Sequence, residues 1–252
     1  MAQQATAAME QMEAAVAPAG GSANAGAPES ERRLAWEALR ERDLEEKMGQ
    51  GAAHDETVDL AKNVMKALRD ERGQKAYVGA DVFIEWDPSD PRARVSPDGF
   101  ILEGQDPSIE PSIWQTWEEG CDPPRFALEV VSPKLRAKDY DTSPHRYSML
   151  GVEELLIFDA GPLGKDSFAL QLYQRTRRGQ FLRVYAGAGP VESRVLGAFW
   201  VVTDGGKRVR LARDAEGKDL VPSDKERAEA ERARADAAEA RVRELEALLK
   251  GR

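Results

Sequence analysis

Phe126-Ala-Leu-Glu-Val-Val131 is the stretch whose reading decides the fold. Apart from Glu129 every residue in it is apolar, on both of the faces that a strand presents alternately. That pattern belongs to a strand covered on both sides, at a central position of a sheet. An ionised carboxylate in such a run is costly to desolvate. Glu129 therefore needs a partner: a hydrogen-bond donor, a basic side chain or a metal ion.

Upstream, Val95 to Leu102 reads as a second strand and contains Ser96-Pro97-Asp98-Gly99-Phe100. Tyr77 to Trp86 reads as another strand, closed by the turn Asp87-Pro-Ser-Asp-Pro91. Before it, Val58, Ala61, Met65 and Leu68 recur at steps of three and four, which predicts a helix over about 55–71 with Asp55 as its cap. Residues 105–124 read as a long loop carrying Trp114 and Trp117. Downstream, Ser143 is placed to cap a helix that starts at Pro144 and stops at Gly151. Glu154 to Asp159 reads as a strand. A hairpin around Arg177-Arg178-Gly179 and strand material around Asp204-Gly205-Gly206 follow. The order helix, strand, strand, strand, helix, strand predicts an α/β domain.

Two acids, Asp98 and Glu129, fall on the second and third of these strands. Carboxylates on neighbouring strands repel unless a cation lies between them, and hard oxygen ligands suit Mg2+ or Mn2+. A metal held this way acidifies water and neutralises charge on a phosphate, which is what phosphodiester hydrolysis requires. The same pattern is also satisfied by a strand glutamate in a structural salt bridge, and the residues alone leave both readings open.

The rest of the chain sets the limits. Residues 1–29, rich in Ala, Gly, Gln and Ser, are expected to be disordered, and 30–50 to form a helical lead-in. Residues 51–222 make up the α/β domain, and 223–252 a C-terminal helix with a capping box at Ser223 and Glu226. In that helix Ala228, Ala235, Val242 and Leu249 recur every seven residues, with Ala238 and Leu245 between them and Glu231 interrupting. The pattern fits a coiled coil, and so a homo-oligomer, as well as it fits a solvated single helix. The net charge is −9, and the stretch between the two tails is itself mildly acidic. That argues against tight non-specific binding of nucleic acid. The one cysteine, Cys121, excludes an intrachain disulfide and a cysteine-based zinc site. No apolar run is long enough to span a membrane, and a cytoplasmic location is expected.

Several residues have both a functional and a bland reading. His54 and His145 lack the further ligands of a zinc site and read more simply as surface or capping side chains. Trp114 and Trp117 either stack on bases or anchor the long loop. Arg175, Arg177, Arg178 and Arg183 either contact phosphates or form a solvated hairpin tip.

Ser96-Pro-Asp-Gly-Phe-Ile-Leu102, Trp117-Glu-Glu-Gly120, Pro123 to Pro133 and Tyr147 to Asp159, in this order and spacing, resemble the bacterial restriction endonuclease family called Uma-two, of the PD-(D/E)XK nuclease superfamily. Glu192 to Gly197 and Val209 to Gly217 extend the resemblance, and His54 with the helix after it matches the family's opening. The resemblance implies a restriction-endonuclease-like mixed central sheet flanked by helices, a DNA substrate and a divalent metal. It makes Asp98 and Glu129 metal ligands and catalytic residues. Position 131, the usual place of the superfamily's lysine, is Val, and the family's displaced lysine would fall at position 143, which is Ser. A serine cannot supply the positive charge that orients attacking water and stabilises developing negative charge. Lys138 is the candidate to replace it, with Arg146 and Lys134 as further basic residues nearby. The resemblance thus leaves two outcomes besides an active metal-dependent endonuclease: an impaired nuclease fold that binds, or an interaction protein working through its C-terminal helix.

Overall fold

The computed structural model describes residues 36–41, 51–132, 140, 142–161 and 168–250. Its first long helix, α1, spans Ala52–Glu71 and buries Val58, Ala61, Val64, Met65 and Leu68 along one face, the predicted stripe. The helix begins earlier than Asp55. Gly51, at φ 93°, occupies the cap position, and Asp55 lies in the first turn, where its charge complements the helix dipole.

Among the described residues twelve strands follow: β1 Ala76–Gly79, β2 Phe83–Glu85, β3 Arg94–Val95, β4 Gly99–Glu103, β5 Ile113–Gln115, β6 Phe126–Val130, β7 Glu154–Phe158, β8 Leu170–Arg175, β9 Phe181–Gly187, β10 Val191–Ser193, β11 Ala198–Thr203 and β12 Arg208–Ala212. Helix α2, Ser143–Leu150, stands between β6 and β7, and α3, Asp224–Lys250, closes the described chain. Six strands form a mixed central sheet in the order β1-β4-β6-β7-β8-β9. Within it β6 and β7 are parallel and every other pair is antiparallel. The expected mixed α/β architecture is therefore present.

Phe126–Val130 occupies an interior position of that sheet, and its alternation sorts the core into two layers. Phe126, Leu128 and Val130 face one cluster, with α1 and with Trp200, Val209 and Leu211 of the three-stranded sheet β10-β11-β12. The rings of Phe126 and Trp200 stack there with centroids 5.6 Å apart. Ala127 and Val131 face the other cluster, with Tyr147 and Leu150 of α2 and with Ile84, Val95 and Trp114 of the small sheet β3-β2-β5. Glu129 shares the alternation of Ala127 and Val131, so it lies on the α2 side.

Three sequence expectations are corrected. The single strand expected over Tyr77–Trp86 is split into β1 and β2, because Asp81 takes φ 57° and donates its N–H to the Pro97 carbonyl at 2.9 Å. The strand expected over Val95–Leu102 is likewise divided into β3 and β4 around Ser96-Pro97-Asp98. The loop 105–124 contains β5, which pairs in parallel with β2. Of the expected lead-in helix, residues 36–41 are described and are helical, and the rest lies outside the described residues. Trp36 packs on Trp117 at 6.1 Å, and Arg40 pairs with buried Glu85 at 2.6 Å, so this segment is fastened to the small sheet. Among the described residues no helix is long and apolar enough to cross a membrane.

Candidate metal centre

The β4–β6 register sets Gly99 opposite Leu128. Asp98 immediately precedes Gly99 and Glu129 immediately follows Leu128, so the two acids stand at the same end of this strand pair. Pro97 cannot donate to a ladder, and with strand pairing interrupted there the Asp98 side chain turns onto the backbone of β6. Its Oδ2 accepts the Val130 N–H at 2.8 Å, and the residue is 1% exposed.

His54 completes this corner from the first turn of α1. Its Nε2 lies 3.1 Å from the Val130 carbonyl oxygen and 3.3 Å from Asp98 Oδ2. A carbonyl can only accept, so Nε2 carries the proton. Nδ1 is buried without a hydrogen bond, and the nearest acid, Asp55, is 3.6 Å away. Burial acts to lower the His54 pKa, but the Asp98 carboxylate, the Val130 carbonyl and Asp55 outweigh it and hold the pKa above the usual histidine value. The expectation of a surface or capping histidine is overturned: His54 is inside the fold, and it links α1 to the sheet.

Glu129 is held from the opposite side of the sheet. Tyr147, fully buried on α2, donates its hydroxyl to Glu129 Oε1 at 2.5 Å. A third acid, Asp159, follows β7 at the same end of the parallel β6–β7 pair. It is 2% exposed, accepts the Tyr140 hydroxyl at 2.6 Å and takes the Gly161 N–H at 2.8 Å. Tyr147, Tyr140 and Asp159 were not singled out from the sequence as site residues. Tyr147 had a signal: it lies one helical turn beyond Ser143 on a short amphipathic helix that follows the Glu129 strand.

The other candidates separate. Lys138 and Lys134 lie outside the described residues. Ser143 is the first residue of α2 and is buried; Thr142 occupies the cap position instead, with no side-chain capping bond. Arg146 donates to the Arg92 carbonyl at 2.9 Å. His145 is exposed on α2. Trp114 is buried and donates to the Asp122 carbonyl at 2.9 Å, and Trp117 packs on Trp36, so both anchor the loop. Arg175 is consumed by the Val152, Gly179 and Ser148 carbonyls, whereas Arg177 and Arg178 are exposed. Burial, with Glu118 and Asp122 nearby, pushes the Cys121 thiol pKa up, the wrong direction for a nucleophile.

Among the described residues no group of three or more His, Cys, Asp or Glu side chains forms a metal cage. Asp98 and Glu129 supply carboxylate oxygens, the hard donor type that Mg2+ takes. Mg2+ is commonly bound by one or two carboxylates, with water and substrate phosphate completing its shell.

The family model of Uma2, putative restriction endonuclease, matches residues 28–204. The chain belongs to this family. The matched span includes His54, Asp98, Glu129 and Tyr147 and stops before α3. No curated protein matches the chain. A solved structure of a putative nuclease belonging to DUF820 from Anabaena variabilis is similar, with 11% identity over 59% of this chain and 74% of that one and a TM-score of 0.40. Membership of the Uma2 family supports a nuclease as the general function.

Proposed function

We propose that the protein is a metal-dependent endonuclease that hydrolyses DNA phosphodiester bonds, with Mg2+ or Mn2+ held by Asp98 and Glu129. One observation supports this reading: the two acids adjoin Gly99 and Leu128, a register pair of β4 and β6, at one end of the sheet, each with its carboxylate held by a buried donor. A bound divalent ion supplies charge neutralisation on the phosphate and acidifies the attacking water. The protein's own groups do the rest. The Val130 N–H and His54 hold Asp98 at the corner, and Tyr147 fixes the direction of Glu129. Tyr140 and Gly161 occupy Asp159, which acts as support for the segment after β7. Lys138, which the sequence places between β6 and α2, is the proposed basic group that orients water and counters developing negative charge.

The test is cleavage of supercoiled plasmid and of single-stranded DNA and RNA with Mg2+ or Mn2+, with EDTA as control. Nicking is expected to need metal and to fall by about 100-fold or more in Asp98→Ala and in Glu129→Ala. Lys138→Ala is expected to reduce the rate with metal binding retained. Absence of cutting on every substrate with either metal would reject the reading.

A second reading, an impaired nuclease fold that binds DNA, is favoured by one observation. Ser143, at the place of the family's displaced lysine, is buried in the first turn of α2 and carries no charge. Cutting that appears only in Ser143→Lys would decide for it.

A further inference from the structure

Helix α3 runs for 27 residues, and none of its side chains is buried. Val242, Leu245, Leu248 and Leu249 are large apolar residues left about half or more exposed at its C-terminal end. Its other end is fastened to the domain. Ser223 and Glu226 cap each other, with Glu226 Oε2 taking the Ser223 N–H at 2.7 Å, and Arg210 grips the Glu226 carboxylate at 2.7 Å. The helix is thus anchored at its start and has an uncovered apolar face at its end.

We infer that this face is covered by α3 of a second copy of the same chain, in a parallel, in-register two-stranded coiled coil. The seam is Ala228, Glu231, Ala235, Ala238, Val242, Leu245 and Leu249, which are successive a and d places of the heptad. Three of the four C-terminal seam residues are large, and three of the four exposed apolar residues lie on the seam.

Charge complementarity fits a second copy as the partner, and charge together with the one-ended placement of the large seam residues sets the direction. The residues flanking the seam on one side, at the g places, are Arg227, Arg234, Arg241 and Leu248. Those on the other side, at the e places, are Arg232, Glu239 and Glu246. In a parallel pair each g residue faces the e residue five positions on in the other helix. Arg234 then meets Glu239 of the second copy, and Arg241 meets its Glu246, each twice by symmetry. Arg227 meets Arg232, a repulsion at the weak Ala-rich end. In an antiparallel pair with the helices overlapped, g faces g and Arg234 meets Arg241, e faces e and Arg232 meets Glu239, and the large Val242 and Leu245 face Glu231 and Ala228 instead of each other. The single helix offers little competition: Arg241 pairs with Glu244 at 2.6 Å and Glu239 with Arg243 at 3.5 Å, both solvent-exposed. Exposed pairs of this kind contribute little.

The parallel direction places the two nuclease-family domains at the same end of the rod. With Ala in the first half of the seam and Glu231 within it, the association is concentration-dependent.

Sedimentation velocity of the 252-residue chain over a concentration series is expected to show a monomer–dimer equilibrium. Arg234→Glu with Arg241→Glu sets acid against acid and is expected to raise the dissociation constant about tenfold or more. Adding Glu239→Arg and Glu246→Arg to that variant restores opposite charges and is expected to restore the dimer. Direction is read by a disulfide: in a Cys121→Ser background, Leu245→Cys at a d place is expected to oxidise to a covalent dimer, since d meets d only in the parallel register. Circular dichroism of each variant verifies that the helix is retained. A monomer at every concentration would overturn the pairing and leave α3 a solvated single helix. A dimer that is indifferent to the charge reversal, or that fails to cross-link through position 245, would overturn the parallel arrangement.

Discussion

His54 Nε2 stands 3.3 Å from Asp98 Oδ2, across the gap between the first turn of α1 and the end of β4. Together with its 3.1 Å contact to the Val130 carbonyl, this makes one N–H the tie between the helix, the acid and the Glu129 strand. His54→Ala leaves a buried carboxylate and a buried carbonyl without that donor. A loss of about 1–3 kcal/mol in unfolding free energy is expected, because an unsatisfied buried polar group retains its full desolvation cost. Urea denaturation measures it. If Asp98 holds a divalent ion as proposed, weaker Mn2+ binding by calorimetry should accompany it, with His54→Gln recovering part of both.

The Tyr147–Glu129 contact is tested with less disturbance. Tyr147→Phe keeps the ring that packs with Leu150 and Ile157 in the core and deletes only the hydroxyl that Glu129 Oε1 accepts. The stability change should be modest, about 1 kcal/mol. If Glu129 works with a divalent ion, the effect should appear mainly in metal-dependent cleavage: a lower rate at fixed Mg2+, partly recovered at higher Mg2+. Unchanged metal dependence would make the tyrosine a packing residue.

Much of this corner was legible from residue order. The apolar run around Glu129 located an interior strand, because a strand covered on both sides has to be apolar on both faces. Glu129 followed from it as a residue in need of a partner, since an isolated carboxylate in such a run is costly, whereas Asp98 lies outside the run and its role beside Glu129 rested on the family resemblance. The role of His54 is not legible in the sequence, because it depends on a contact across 44 positions with Asp98 and on a helix that begins at Ala52, two residues earlier than His54. No local pattern records either fact. The split strands had the same cause. Asp81 carries a positive φ that its type tolerates, and it is fixed by the distant Pro97 carbonyl, so the break is tertiary in origin. The capping box at Ser223 and Glu226 was legible because it is made within four residues.

Gly79 illustrates a constraint that only the packing reveals. It pairs with Phe100 across β1 and β4, and a Cβ there would come within 2.5 Å of the Phe100 ring and 2.6 Å of the Tyr77 ring. Phe100 is fully buried and cannot swing away. Gly79→Ala is therefore expected to destabilise the fold by about 1–3 kcal/mol through overpacking. Its denaturation midpoint should fall with little change in the slope, whereas Gly104→Ala, with open space at its Cβ, acts through its φ of 77° alone and serves as the contrast.

Glu226 sets an acid limit on the base of α3. The Arg210 guanidinium, the Ser223 N–H and the Ser223 hydroxyl hold its carboxyl pKa at about 2, against an ordinary value of 4.5. The folded pKa is depressed, so the unfolded chain binds the proton more readily. The contribution to stability is then present in full above about pH 4.5 and is lost as the pH falls toward 2. The side chain is 44% exposed, so solvent and salt screen much of the interaction, and the effect should shrink at high ionic strength. Thermal melts at pH 6 and pH 3 should show a larger acid-induced fall in the natural protein than in Glu226→Gln, which has no carboxyl to protonate. Equal falls in the two proteins would show that the Arg210–Glu226 contact contributes nothing to holding α3 against the domain.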